Sequence, residues 1–255
     1  MKSLLLKILP VTCALAIGAP FSLPAAATST AIDPNALAVL KRMSNSLTAA
    51  KAFTFKSRAT IEVPAKNGQF ITLFSQAEVA LLRPDSLRVR MTGEAPHCDF
   101  YFDGKTVTAF APATKTFSIA KAPPTIDAMF PALEEKTGIR FAAAPLFFSN
   151  PYSVLTDGLT SAVVVGPSKV RGTVCDHLAF RAPGLNWEIW IEVGARSLPR
   201  RLAVTFTDRP NFPRAIVEFS NWNLHPWLSD RDFVFRKPAG ATEIPFLSVL
   251  KSTKR

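Results

Sequence analysis

Segment after segment of this chain alternates apolar with polar residues at a spacing of two, and that period constrains the fold more than any other feature. "AFTFKSRATIEV" sets Phe53, Phe55, Ala59, Ile61 and Val63 on one face and Thr54, Lys56, Arg58, Thr60 and Glu62 on the other. "NWEIWIEVGARSLPRRLAVTF" does so twice around a short turn. Trp187, Ile189 and Ile191 share one face of its first strand, and Leu202, Val204 and Phe206 share one face of its second. "SLRVRM" sets Leu87, Val89 and Met91 against Arg88 and Arg90, and "DFYFDGKTVTAFAP" gives two strands, with Phe100 and Phe102, around a strong Asp103-Gly104 hairpin signal. The same period runs through "QFITLFSQAEVALL" and "KTFSIA", and after Leu159 through "SAVVVG", "TVCDHLAF", "RAIVEFSNWN" and "DFVF". Such alternation marks antiparallel strands with one dry and one wet face.

Roughly ten strands of this kind need a cover for their dry face, and helical spacing supplies little. In "DPNALAVLKRMSNSLTAAK", Asp33 is an N-cap, Pro34 takes the first helical position, and Ala36, Leu40, Met43 and Leu47 form one stripe. "TIDAMFPALEEKTG" is a second helix. Thr125 stands at its start and Gly138 at its stop; Ile126, Met129, Phe130 and Leu133 form its apolar group, and Pro131 is expected to kink it. "APLFFSNPYSVLTDG", with Phe147 and Phe148, reads as a helical stretch broken by prolines. A sheet this long with so few helices must curl. It closes into a barrel with a packed interior, or it stays an incomplete barrel whose concave side is plugged by the helices. Only the second leaves an apolar cavity under a movable lid.

The first residues carry Lys2 and Lys7, an apolar run broken by Pro10, Gly18 and Pro20, and a small-residue stretch in which Ala25 and Ala27 fit a signal-peptidase site. A cleaved export signal is expected over 1–27 and a single domain over 28–255, placed in the periplasm. Removal of the two lysines lowers the formal charge from +11 to 11 − 2 = +9. A basic exported protein meets anionic membrane surfaces or acidic partners rather than nucleic acid, although the cations here are scattered rather than blocked. Cys98 and Cys175 then form an even pair in an oxidising compartment, which makes a disulfide a candidate beside the alternative of two buried thiols.

Catalytic signals are absent. There is no G-x-S-x-G elbow and no phosphate or dinucleotide fingerprint, so neither an enzyme nor a cofactor is expected. Cys175 and His177 share a strand face, and His97 or Cys98 beside them could make a metal set, but no fourth ligand has recognisable spacing, so no metal is assigned. His225, in "NLHPW", reads as a loop residue.

The motifs "LLRPDSLRVR", "FDGKTVTAFAP", "SLPRRLAVTFTD" and "LSDRDFVFRKPAGATEI" resemble, in order and spacing, a series found in the LolA/LolB-type lipoprotein-localisation factors. "DPNALAVLKRMSNSL" and "CDHLAFR" are similar to stretches of a sub-family of predicted periplasmic proteins with that fold and no assigned function. The resemblance runs from Asp33 to Phe246. It implies a half-open antiparallel β-barrel with helices as a lid over an apolar cavity, which in the carrier branch receives lipoprotein acyl chains. It also implies that Arg83, before the proline of the "RP" motif, contacts the lid. The chain departs from the carrier pattern in its longer helical middle, the two cysteines left after signal removal and "FRKPAG" in place of a double proline.

The expected site is therefore a cavity lined by Phe53, Phe55, Ile61, Val89, Met91, Phe100, Phe102, Trp187, Ile189, Ile191, Leu202, Val204 and Phe206. Its lid is Arg83, Met129, Phe130, Phe147 and Phe148, and its partner is a lipid or an acylated protein. The alternative is an interaction or sensory module with a filled core and a basic partner-binding surface. Oligomeric state is not legible in the sequence.

Overall fold

The computed structural model describes residues 32–94, 97–138 and 141–246; the expected signal segment lies outside them. Helix α1 spans Pro34–Ala49 and opens as its sequence dictates, with Asp33 Oδ1 accepting from the Asn35 N–H at 2.8 Å and Pro34 in the first turn. Val39 and Ser44 join its buried stripe.

The strands are β1 (Ala52–Pro64), β2 (Phe70–Leu82), β3 (Ser86–Gly93), β4 (Asp99–Asp103), β5 (Thr106–Ala111) and β6 (Thr116–Lys121), then β7 (Ser161–Val170), β8 (Thr173–Ala182), β9 (Leu185–Glu192), β10 (Pro199–Phe206), β11 (Arg214–Asn223) and β12 (Thr242–Glu243). They form one sheet in the order β12-β6-β5-β4-β3-β2-β1-β11-β10-β9-β8-β7. Every pairing is antiparallel except β12 with β6. No pairing joins β7 to β12 among the described residues, so this is the incomplete barrel of the two alternatives. The Asp103-Gly104 turn forms as expected: Asp103 Oδ1 accepts from the Thr106 N–H at 2.7 Å, and Gly104 takes φ +79, a conformation that favours glycine.

Three helical segments separate β6 from β7. Helix α2 (Ile126–Thr137) is capped by Thr125, whose hydroxyl accepts from the Ala128 N–H at 3.2 Å, and ends at Gly138 in the left-handed region. It continues past Pro131. A 3-10 turn (Ala144–Phe147) and α3 (Pro151–Thr156) follow. One main core lies between these helices, α1 and the inner face of the sheet. A smaller cluster on the outer face gathers Phe110, Phe117 and Ala241 around Phe235.

"DFVF" is not a strand. Asp232 and Ser229 cap each other around a 3-10 turn, Asp230–Asp232, and Phe233 is buried directly after it. Local side-chain bonding to the backbone there overrides the period of two.

Candidate functional site

Register explains the dry face. Phe53, Leu81, Leu87 and Phe102 are successive partners across β1, β2, β3 and β4, and Phe55, Val79, Val89 and Phe100 form the next row. On the other side Phe180, Trp187, Val204, Ala215, Ile61 and Leu73 run in one row from β8 to β2. Leu178, Ile189 and Leu202 lie beside it, and Phe180 stacks on Trp187 with ring centroids 4.0 Å apart.

The structure brings the expected lining residues to this one face. Phe53, Phe55, Phe100, Phe102, Trp187, Ile189, Ile191, Leu202, Val204 and Phe206 are buried, while Val89 and Met91 are half-buried against the same core. Ile61 differs. It is 38% exposed, and Ile71, two residues from its cross-strand partner Leu73, is 41% exposed. Both lie toward the tip of the β1–β2 hairpin, where the apolar row runs beyond its helical cover.

At the opposite end the cover is apolar and dense. The Phe147 ring lies 6.4 Å from that of Phe53, 6.0 Å from Phe55 and 5.7 Å from Phe130. Leu146 and Met129 are fully enclosed, and Phe148 stacks on Phe130 at 6.1 Å. The sequence left open whether the concave face is vacant or filled; here these side chains fill this end of it.

Polar bonds also hold this cover. The Ile126 N–H donates to the Pro84 carbonyl at 2.9 Å, the Ser149 N–H donates to Asp127 Oδ1 at 2.8 Å, and the Tyr152 N–H donates to Ser44 Oγ of α1 at 2.9 Å. Arg83 reaches in from the β2–β3 turn and donates from Nη1 to the Phe147 carbonyl at 2.8 Å. Its Nε and Nη2 are buried without partners among the described residues. Burial pushes the Arg83 pKa down, and the nearby Asp127 carboxylate opposes that shift. Unpartnered donors each cost on the order of 1–3 kcal/mol, so the closed arrangement at Arg83 carries two unsatisfied donors.

Of the two alternatives for the cysteines, the structure has the buried thiols: Cys98 and Cys175 are both free and buried. Cys98 belongs to the main core, whereas Cys175 packs with Val170, Trp190 and Ala203 in a separate cluster under the outer face. Burial pushes the Cys98 thiol up to about 12, helped by the neighbouring Asp99 charge, and raises that of Cys175 as well. Neither is a ready thiolate. His177 stacks on Trp190 at 4.0 Å and its Nε2 lies 3.0 Å from Glu188 Oε2. Among the described residues no group of three His, Cys, Asp or Glu side chains is arranged to hold a metal ion. No described helix is long and apolar enough to cross a membrane.

Sequence reasoning missed a second concavity, on the outer face. A groove of about 740 Å³ is lined by Lys56, Arg58, Arg90, Arg171, Arg200, His97, Glu78 and Asp99 among others. Only the pairing register, which joins residues distant in sequence, makes it visible.

A family model described as "Predicted periplasmic protein (DUF2092)" matches residues 36–247. Among curated proteins none matches the chain in sequence. Among solved structures the chain is similar to an uncharacterized conserved protein from Thermus thermophilus at 14% identity and a TM-score of 0.48, covering 83% of this chain and 99% of that one. The lipoprotein LppX of Mycobacterium tuberculosis is similar at 13% identity and TM-score 0.46, over 75% and 96% of the two chains. A LolA superfamily protein from Nitrosomonas europaea is similar at 10% identity and TM-score 0.42, over 78% and 97%.

Proposed function

The chain belongs to the family of predicted periplasmic proteins (DUF2092), and from that premise we propose that it binds a lipid, or the acyl chain of an acylated protein, on its concave face without catalysing a reaction. One observation carries the proposal: the apolar rows of the sheet are covered not by a second sheet but by short helical segments, and the rows continue uncovered at Ile61 and Ile71. An apolar ligand would take the place of Met129, Phe130, Leu146 and Phe147, so that binding exchanges one apolar cover for another.

The magnitudes support such an exchange. Burying an acyl chain gains about 0.8 kcal/mol per methylene, and micromolar affinity needs about 8 kcal/mol. A chain of ordinary length therefore suffices with no polar anchor in the cavity, provided the displaced side chains find new partners. Arg83, already short of partners in the closed form, would lose one hydrogen bond on opening.

The test is native mass spectrometry of the protein purified from its own periplasm, with extraction and identification of anything bound. A stoichiometric lipid or acylated peptide, lost in folded Trp187→Ala or Phe206→Ala variants, is expected. A clean apo mass with no uptake of added fatty acid or lipopeptide would sink the proposal and leave the concave face as ordinary core.

A further inference from the structure

The outer groove is built by register rather than by a loop. Ser220, Lys56, Glu78, Arg90 and Asp99 are successive cross-strand partners on β11, β1, β2, β3 and β4, and all point away from the core face. Arg58 lies one row along, between Glu218 and Gln76. The β7–β8 turn forms one wall and His97 and Pro112 contribute to the groove from β3–β4 and β5–β6 connections.

Five cations line this groove, Lys56, Arg58, Arg90, Arg171 and Arg200, against the acids Glu78 and Asp99. Some are already engaged: Lys56 pairs with Glu78 at 2.6 Å, and Arg200 pairs with the buried Glu192 behind it. Arg171 is held only loosely, 3.9 Å from Glu218. Among the described residues neither Arg58 nor Arg90 ends in an ion pair, and both are exposed. Their strands stand two apart, about 10 Å, within the combined reach of two arginine side chains. Burial pushes the Asp99 carboxyl up, and the Arg90 charge opposes that shift.

The turn supplies an independent sign. Arg171 sits at φ +49 and is followed by Gly172 at φ +85. Asn, Asp or Gly normally fills the first of two such positions, because a longer side chain is strained there. The backbone thus tolerates a disfavoured conformation with an arginine placed over the groove.

We propose that this outer groove binds a phosphate-bearing polyanion, seated on Arg58 and Arg90 with Arg171 closing over it. Arginine forks match phosphate oxygens, and the groove holds a ligand of small-molecule size. The site is independent of the concave face, and a ligand here leaves the lid untouched.

The probe is inorganic pyrophosphate, titrated calorimetrically into the purified protein at low ionic strength. Saturable binding is expected, weakening as salt is raised and falling at least tenfold in the Arg58→Ala/Arg90→Ala double variant. Both side chains are exposed, so that variant should fold, which circular dichroism checks. Arg236→Ala, an exposed cation outside the groove, should bind as the parent does. A second arm uses phosphatidylglycerol vesicles: co-sedimentation that pyrophosphate competes away identifies a lipid headgroup as the source of the phosphate. The proposal is overturned if pyrophosphate does not bind, if the double variant binds it unchanged, or if the vesicles bind without competition.

Discussion

At the scale of single residues, Arg83 and the two cysteines decide the most. Arg83 makes one hydrogen bond to the Phe147 carbonyl while two of its nitrogens are buried unpartnered. Replacing it by methionine removes the bond and the desolvated charge together, and such exchanges are often neutral in stability. Arg83→Met should therefore shift global stability by less than about 1 kcal/mol, yet raise amide hydrogen exchange over residues 144–149. Global destabilisation without that local change would contradict a local role for Arg83 in holding residues 144–149. For the cysteines, in protein lacking residues 1–27 two thiols should titrate after denaturation without reductant and none before it. Cys98 also has a signed consequence for pH. Its folded pKa of about 12 lies above the unfolded value of roughly 8.5, so its contribution is complete below the unfolded value and lost as pH rises toward 12. A chemical-denaturation series from pH 8 upward should show that loss, and Cys98→Ala should flatten it. The sequence already held the reason these thiols do not meet. Cys98 has the parity of the inward Phe100 and Phe102, whereas Cys175 is out of step with the inward Leu178 and Phe180.

At the scale of elements, caps and periods were legible because they are local. Asp33 and Pro34 start α1, and Thr125 and Gly138 bound α2, each through contacts within a few residues. The stretch around Asp232 was misread because its apolar spacing imitates a strand while Ser229 and Asp232 bind each other's backbone. Which residues of the α2 and Ala144–Phe147 cover point inward was only half legible, since that depends on the sheet beneath. The cover makes a test that separates a plug from ordinary core. Phe147→Ala should destabilise the ligand-free protein by about 3 kcal/mol or more. If Phe147 is displaced by ligand, the same change costs the liganded state much less, so affinity for a fluorescent fatty acid should rise as stability falls. A parallel loss of both would mean that Phe147 belongs to the core in every state.

At the scale of the whole molecule, the number of alternating strands against the shortage of helices forces a curled sheet, but nothing local says whether it closes. Closure depends on whether β7 and β12 meet, a relation between residues some seventy apart in sequence, and the convex groove is hidden for the same reason. The open form gives the two ends of the trough different characters. One end is sealed by Phe147 over Phe53 and Phe55, with Arg83 beneath; the other leaves Ile61 and Ile71 partly in water. An acyl chain sliding in from the open end would cross Ile71 first and meet the plug last. Ile71→Asp places a charge on that path at a site already 41% exposed, so stability should change by no more than about 1 kcal/mol. Stopped-flow uptake of a fluorescent fatty acid should nevertheless slow at least tenfold, because the chain must pass a solvated carboxylate. Entry at the Arg83 end predicts the reverse: Ile71→Asp would take up ligand at the parent rate, and Arg83→Met would accelerate it.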